Sequence, residues 1–187
     1  MTVLATLWLP IVVSAAFVFI ASSVIHMALP WWHKSDYGKL PEEGRVMDAL
    51  SPFKLPPGDY MVPNCDNQRE MRSPEFKAKM KQGPVMVVTV MDYRGMQIGS
   101  SLGMWFLYVL AVSALTGYVA CHAAQLNGDH ARIYRIVGVT ALLGYAAALW
   151  PISIWYRRSW LTTIKSTIDG MVYAGITAAT FVWLWPR

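Results

Sequence analysis

Four long apolar stretches, residues 7–29, 100–124, 135–156 and 166–185, divide this chain. Each holds about 20 residues, the length an α-helix needs to cross ~30 Å of hydrocarbon. Inside lipid no water satisfies backbone N–H and C=O groups, so such segments have to be helices. The sequence therefore predicts an all-α membrane protein, a four-transmembrane-helix bundle with a small irregular α+β insert between spans one and two. In domain terms, residues 1–29 hold the first span, 30–99 the cytoplasmic insert, and 100–187 a three-span helical bundle that packs with span one.

Composition supports this reading. Charged residues make up 14% of the chain, well under the ~25% of a soluble domain. The nine tryptophans and nine tyrosines fall mostly near the ends of the apolar stretches, where aromatic rings settle at the headgroup level. A formal charge of +5 invites a nucleic-acid reading, but Lys and Arg are interleaved with Asp and Glu. No basic face of the kind a phosphate backbone needs is visible, so nucleic acid is not an expected partner.

The opening residues MTVLATLW carry no Lys or Arg, and the apolar run continues through Val24, Ile25, Met27 and Leu29. That is longer than the apolar region of a cleaved signal peptide, so a retained span is expected. Orientation follows from the positive-inside rule. The insert holds Lys34, Lys39, Arg45, Lys54, Arg69, Arg72, Lys77, Lys79, Lys81 and Arg94, and the turn before span four adds Arg157, Arg158 and Lys165. Arg132, Arg135 and Arg187 lie on the other side. Both termini are thus expected outside the inner membrane, with the insert in the cytoplasm.

Within the insert, Pro41-Glu42-Glu43 opens a short helix through Leu50, with acids at the positive end of the dipole. Residues 51–63 contain four prolines and one glycine and read as an ordered, non-helical loop. Ser73-Pro74-Glu75 starts a second helix, Gly83 stops it, and Phe76 and Met80 form its small buried edge. Val85 to Met91 reads as a strand that must pair with the Tyr60–Val62 region or with another protein. The insert is too small for a large core of its own.

Helices in lipid associate where small residues let backbones approach. Span one offers Ser14, Ala15, Ser22 and Ser23; span two, Ser113 and Gly117; span three, Ala141, Gly144 and Ala148; span four, Gly170, Ala174 and Ala178, with Gly175 and Ala179 beside them. Phe17, Phe19, Trp105, Phe106 and Phe181 would then face lipid or another subunit. Pro10 falls where a first-turn proline does little harm, while Pro151 should kink span three or end it at Trp150.

Few residues carry chemistry. Cys65 and Cys121 fall on opposite sides of the expected topology and are read as free thiols. His26, toward the inner end of span one, is a candidate axial ligand for haem or a pigment. His122 lies at the opposite membrane face, so one haem cannot bridge the two. A satisfied interhelical histidine is the plainer reading of His26. Asp169 is a carboxylate about one turn into span four, and intramembrane acids are functional hypotheses by default. Lys165, four residues earlier, offers a simple i,i+4 pair, and no second acid, Lys or His is expected at that depth. Trp31, Trp32, Arg157 and Arg158 form an inner-interface anchor that also suits lipid headgroups or a partner protein. Phosphate-binding, nucleophile-elbow and zinc-spacing motifs are not found, and no metal site is expected.

The runs IASSVIHMALPWWHKSDYGKLP (21–41), LPPGDYMVP (55–63), GPVMVVTV (83–90), WFLY (105–108) and LWPISIWYRRSW with IDGMVYAGITAATFVWLWP (149–186) resemble a bacterial family of four-span inner-membrane proteins of unknown function. The resemblance covers nearly the whole chain. It implies the inner membrane and the four-span plan, but no activity and no functional residues. Three functions remain in view. The leading one is a non-enzymatic accessory subunit docking beside a larger membrane complex, respiratory or photosynthetic. The second is a small carrier or enzyme using Asp169, His26 and the Arg157 turn. The third is a haem- or pigment-binding subunit through His26.

Overall fold

The structure, a computed structural model, describes residues 3–92, 97–123 and 129–186. Arg94 and Arg187, counted above for orientation, lie outside the described residues, as does residue 124 at the end of the expected second span. The chain is mostly helical and divides into two compact units, residues 1–38 with 99–187, and residues 39–98.

The first unit is a helical bundle. Its long helices are α1 (Trp8–Ser23), continued by one π-helical turn (Val24–Ala28). The others in this unit are α4 (Ile98–Ala123), α5 (His130–Ala146) with α6 (Trp150–Tyr156), and α7 (Trp160–Trp183). Among the described residues three segments are long and apolar enough to cross a membrane, Trp8–Ala28, Ile98–Ala123 and His130–Tyr156. Helix α7 is not among them. It begins six residues before the expected 166, and its threonines, Lys165 and Asp169 lower its apolarity.

Two core layers fix how the helices run. One joins Leu7 and Ile11 beside the start of α1 to Ala120 at the end of α4, Ile133 and Val137 at the start of α5, and Ala178, Phe181 and Trp185 at the end of α7. The second joins Ala15, Val18, Val109, Val112, Ala141, Tyr145, Tyr173 and Ala174. Successive helices therefore run in alternating directions around one core.

Small residues set the spacing, as their positions in the sequence suggested. A Cβ on Gly144 would meet Val112 Cγ1 at 2.9 Å, and one on Gly170 would meet Ala146 Cβ at 3.1 Å. Ser14 donates to Ser113 at 3.2 Å across α1 and α4. Ala148 and Ala179, however, are exposed. Phe181, expected to face lipid, is fully buried in the first core layer, because α7 presents its last turns to α5 and α1 together. Trp105 is only half-exposed and donates to Ser22 Oγ at 2.8 Å, a bond that draws its ring inward. Pro151 has the foreseen effect: α5 gives way to a 3₁₀ turn (Ala147–Leu149) before α6, since proline supplies no N–H to the helical ladder.

The second unit contains α2 (Glu43–Leu50), β1 (Gly58–Val62), α3 (Pro74–Gln82) and β2 (Met86–Val90). The strand expected around residues 85–91 pairs with residues 58–62, antiparallel and with Tyr60 opposite Val88. Helix α3 begins where expected, with Ser73 Oγ accepting from the Phe76 N–H at 3.1 Å, and Gly83 (φ 62°) ends it. Its expected buried edge is partial: Phe76 is half-buried but Met80 is exposed. No described residue of this unit is fully buried, which fits a segment too short to enclose a core.

Candidate functional site at the end of the bundle

The sequence after α1 cannot stay helical. Leu29 precedes proline, which disfavours helical backbone there, and Leu29 adopts φ −115°, ψ 60°. Pro30 then opens one new turn, Pro30–His33, being pre-set for a first helical position. This bend brings Trp32, His33, Ser35 and Asp36 against the first half of α7.

Asp169 on α7 receives them. Its Oδ1 accepts the Trp32 Nε1–H at 2.9 Å, and its Oδ2 lies 3.0 Å from His33 Nε2. The Asp169 side chain is only 7% exposed. His33 Nδ1 bonds Asp36 Oδ2 at 2.7 Å. A carboxylate only accepts, so Nδ1 carries the hydrogen and Nε2 of a neutral ring presents a lone pair. Among the described residues that buried Nε2 makes no directed hydrogen bond, but it lies 3.0 Å from the Asp169 carboxylate, an ion pair whenever the ring carries its second proton.

Lys165 sits one turn before Asp169, and its ammonium turns away from it. Nζ donates to the Trp32 carbonyl at 2.6 Å and to Ser35 Oγ at 2.7 Å, with Asp36 Oδ1 at 3.4 Å. It also lies 5.7 Å from the centroid of the Trp32 ring. The expected i,i+4 pair with Asp169 is therefore replaced by partners from the segment after α1. Those partners surround the ammonium on three sides, which one exposed local pair cannot do. Burial pushes the Asp36 carboxyl up, but hydrogen bonds and charge from His33 and Lys165 outweigh it and hold it below its ordinary value.

His26 joins through its ring, stacked on His33 with centroids 4.4 Å apart and planes 14° from parallel. Its Nδ1 is 3.0 Å from the Ser22 carbonyl, leaving Nε2 without that partner. Ser22 in turn accepts Trp105 from α4. Two histidines, two acids and a lysine therefore share one end of the bundle, which corrects the expectation that Asp169 has no ionisable company.

Of the residues singled out from sequence, His26, Trp32 and Asp169 come together here. Trp31 packs edge-on against Trp32 at 5.7 Å but is itself exposed. Arg157, in a left-handed turn (φ 58°), and Arg158 form the connection between α6 and α7. Among the described residues no hydrogen bond or ion pair joins either to His26 or Asp169. His33, Asp36 and Lys165 were underrated. A signal existed in the chain, since His33 and Asp36 stand three apart directly after a proline-broken span.

Haem between the two histidines does not fit, because stacked rings 4.4 Å apart leave no gap for a macrocycle. Cys65 and Cys121 are both free thiols, and among the described residues His122 bonds its own helix, at the Tyr118 carbonyl. No protein-family model, curated protein or solved structure matches the chain.

Proposed function

We propose that this chain is a four-span inner-membrane protein that works through the centre at Asp169, as a small membrane carrier or enzyme, and not as a passive accessory subunit. The four-span plan is supported by α7, which is 24 residues long and runs alongside three helices apolar enough to cross lipid. It is also the most enclosed of them, with buried positions from Thr162 to Phe181, so its polar residues meet protein where lipid would reject them. Alternating directions over four passes return both termini to one side, in keeping with the Lys and Arg distribution and with the resemblance to four-span bacterial proteins.

The single observation that carries the functional reading is the buried face-off of His33 Nε2 and Asp169 Oδ2 at 3.0 Å, with Lys165 held beside it. Two histidines, two carboxylates and a lysine gathered at one end of an apolar bundle are the kind of cluster that marks a functional site. The accessory-subunit reading rests on a core without an ionisable pathway, on the insert's strand and proline-rich loop as a docking surface, and on a surface rich in Trp and Phe, where Trp31, Trp155 and Trp183 are exposed. Any helical bundle presents such aromatics to a lipid interface, so that surface does not discriminate.

The test is growth competition in a strain lacking the gene. Asp169→Asn and Lys165→Met, present in the membrane at wild-type levels, should fail to restore the fitness that the wild-type gene restores. Full restoration by both would return the protein to an accessory role.

A further inference from the structure

Three ligand-bearing groups meet at this centre, and each is braced for the same task. One ligand atom each from His26, His33 and Asp169 lie within 4.8 Å of one another. His26 is fixed through Nδ1 by the Ser22 carbonyl, His33 through Nδ1 by the Asp36 carboxylate, and Asp169 through Oδ1 by Trp32. Histidines that bind metals use this arrangement, with one ring nitrogen hydrogen-bonded to a carbonyl or carboxylate and the other turned to the ion. Each side chain keeps one further ligand atom, Nε2, Nε2 and Oδ2, and the exposed His26 ring has to turn out of its stack on His33 to aim its Nε2 at a shared ion.

We infer that these three atoms bind one divalent first-row transition-metal ion of the zinc or iron class. The inference rests on the reading of this centre as the working part of the protein. A neutral His33 sets a lone pair 3.0 Å from a carboxylate oxygen, and a divalent ion between them relieves that repulsion as a second ring proton would. Metal–donor bonds of about 2.0–2.2 Å put neighbouring ligands about 3.3–3.6 Å apart in a tetrahedron, so this pair is a few tenths of an ångström inside coordination spacing.

Charge and donor type agree. Asp36, Asp169 and Lys165 sum formally to one negative charge, which a divalent ion reverses. Two imidazoles and one carboxylate suit zinc or iron and are poor for calcium and magnesium, which take oxygen. Three protein ligands leave at least one coordination position for water or a small ligand, the pattern of catalytic and transport sites more than of structural ones. His26 is exposed, and this leaves a way in for the ion.

The experiment uses the full chain purified in mild detergent. Elemental analysis should find zinc or iron bound at about one ion per chain, removable by chelator. Chelator-treated protein given Co²⁺ should develop visible absorption bands. His26→Gln, His33→Gln and Asp169→Asn should each abolish those bands, while His122→Gln should keep them. Asp36→Asn, which removes only the brace on His33, should weaken Zn²⁺ affinity about 10–100-fold and leave the protein monodisperse. Occupancy unchanged in the three ligand variants, or a wild type that takes up neither Zn²⁺ nor Co²⁺, overturns the inference. If the wild type binds no ion but Asp169→Asn still fails in growth competition, the metal is wrong and the working centre stands. If the ion binds but Asp169→Asn competes like wild type, the site is real and its assigned role fails.

Discussion

Lys165 is 9% exposed, and its ammonium is held by a carbonyl, a hydroxyl and a carboxylate. Lys165→Met keeps the length of the stem and removes the charge, leaving Asp36 without its cation. Breaking a buried charged pair from one side typically destabilises by on the order of 3 kcal/mol. An ordinary interhelical hydrogen bond in a membrane protein averages about 0.6 kcal/mol. Unfolding in denaturing detergent should therefore separate Lys165→Met clearly from Ser14→Ala, which removes only the bond between Ser14 and Ser113. Equal effects would mean that Lys165 is no more than another polar contact. Asp36 adds a pH dependence. Its folded pKa is depressed below the ordinary 3.8, so its contribution is fully present above that value. It is lost as pH falls through the lower folded value. Stability of chelator-treated protein should decline in this acidic window, and Asp36→Asn should flatten the decline.

At the scale of helices, close approach decides the packing. The α4–α5 contact depends on Gly144 lying under Val112, where a Cβ would sit 2.9 Å from Cγ1. Gly144→Ala should destabilise by about 1–3 kcal/mol through overpacking. Val112→Ala in the same chain should recover part of that loss, as measured by thermal unfolding in detergent. A neutral Gly144→Ala would show that α4 and α5 are spaced more widely than described. The π turn and the break at Leu29 act on the same scale. Together they close the first apolar helix at Ala28 and turn the next seven residues back toward α7, which is how segments 137 residues apart, at Trp32 and Asp169, come into contact.

For the molecule as a whole, what could be read from the chain was what composition and short-range rules govern. Apolar length located the helices of the bundle, and small residues at 14, 144, 170 and 174 marked its inner faces. The β-branched run before Met91 located a strand, and the Ser73 cap and Gly83 stop bounded α3. Phe181 was misjudged because size alone does not say which face of a helix is enclosed. The centre was only half legible. His26 and Asp169 stood out as polar groups in apolar stretches, but the local i,i+4 rule assigned Lys165 to Asp169. Partners from across the bundle outcompete that local pair, and they are delivered by a bend whose direction no spacing rule encodes. His33 and Asp36 lie just past that bend, so nothing in the local pattern ties them to Asp169.

A double-mutant cycle between His33→Gln and Asp169→Asn tests most directly that the two ends of the chain form one centre. Substitutions at independent sites add to within about 0.3–0.5 kcal/mol. In chelator-treated protein the account predicts a coupling well outside that range between residues 33 and 169. Simple additivity of the two stability changes would contradict it.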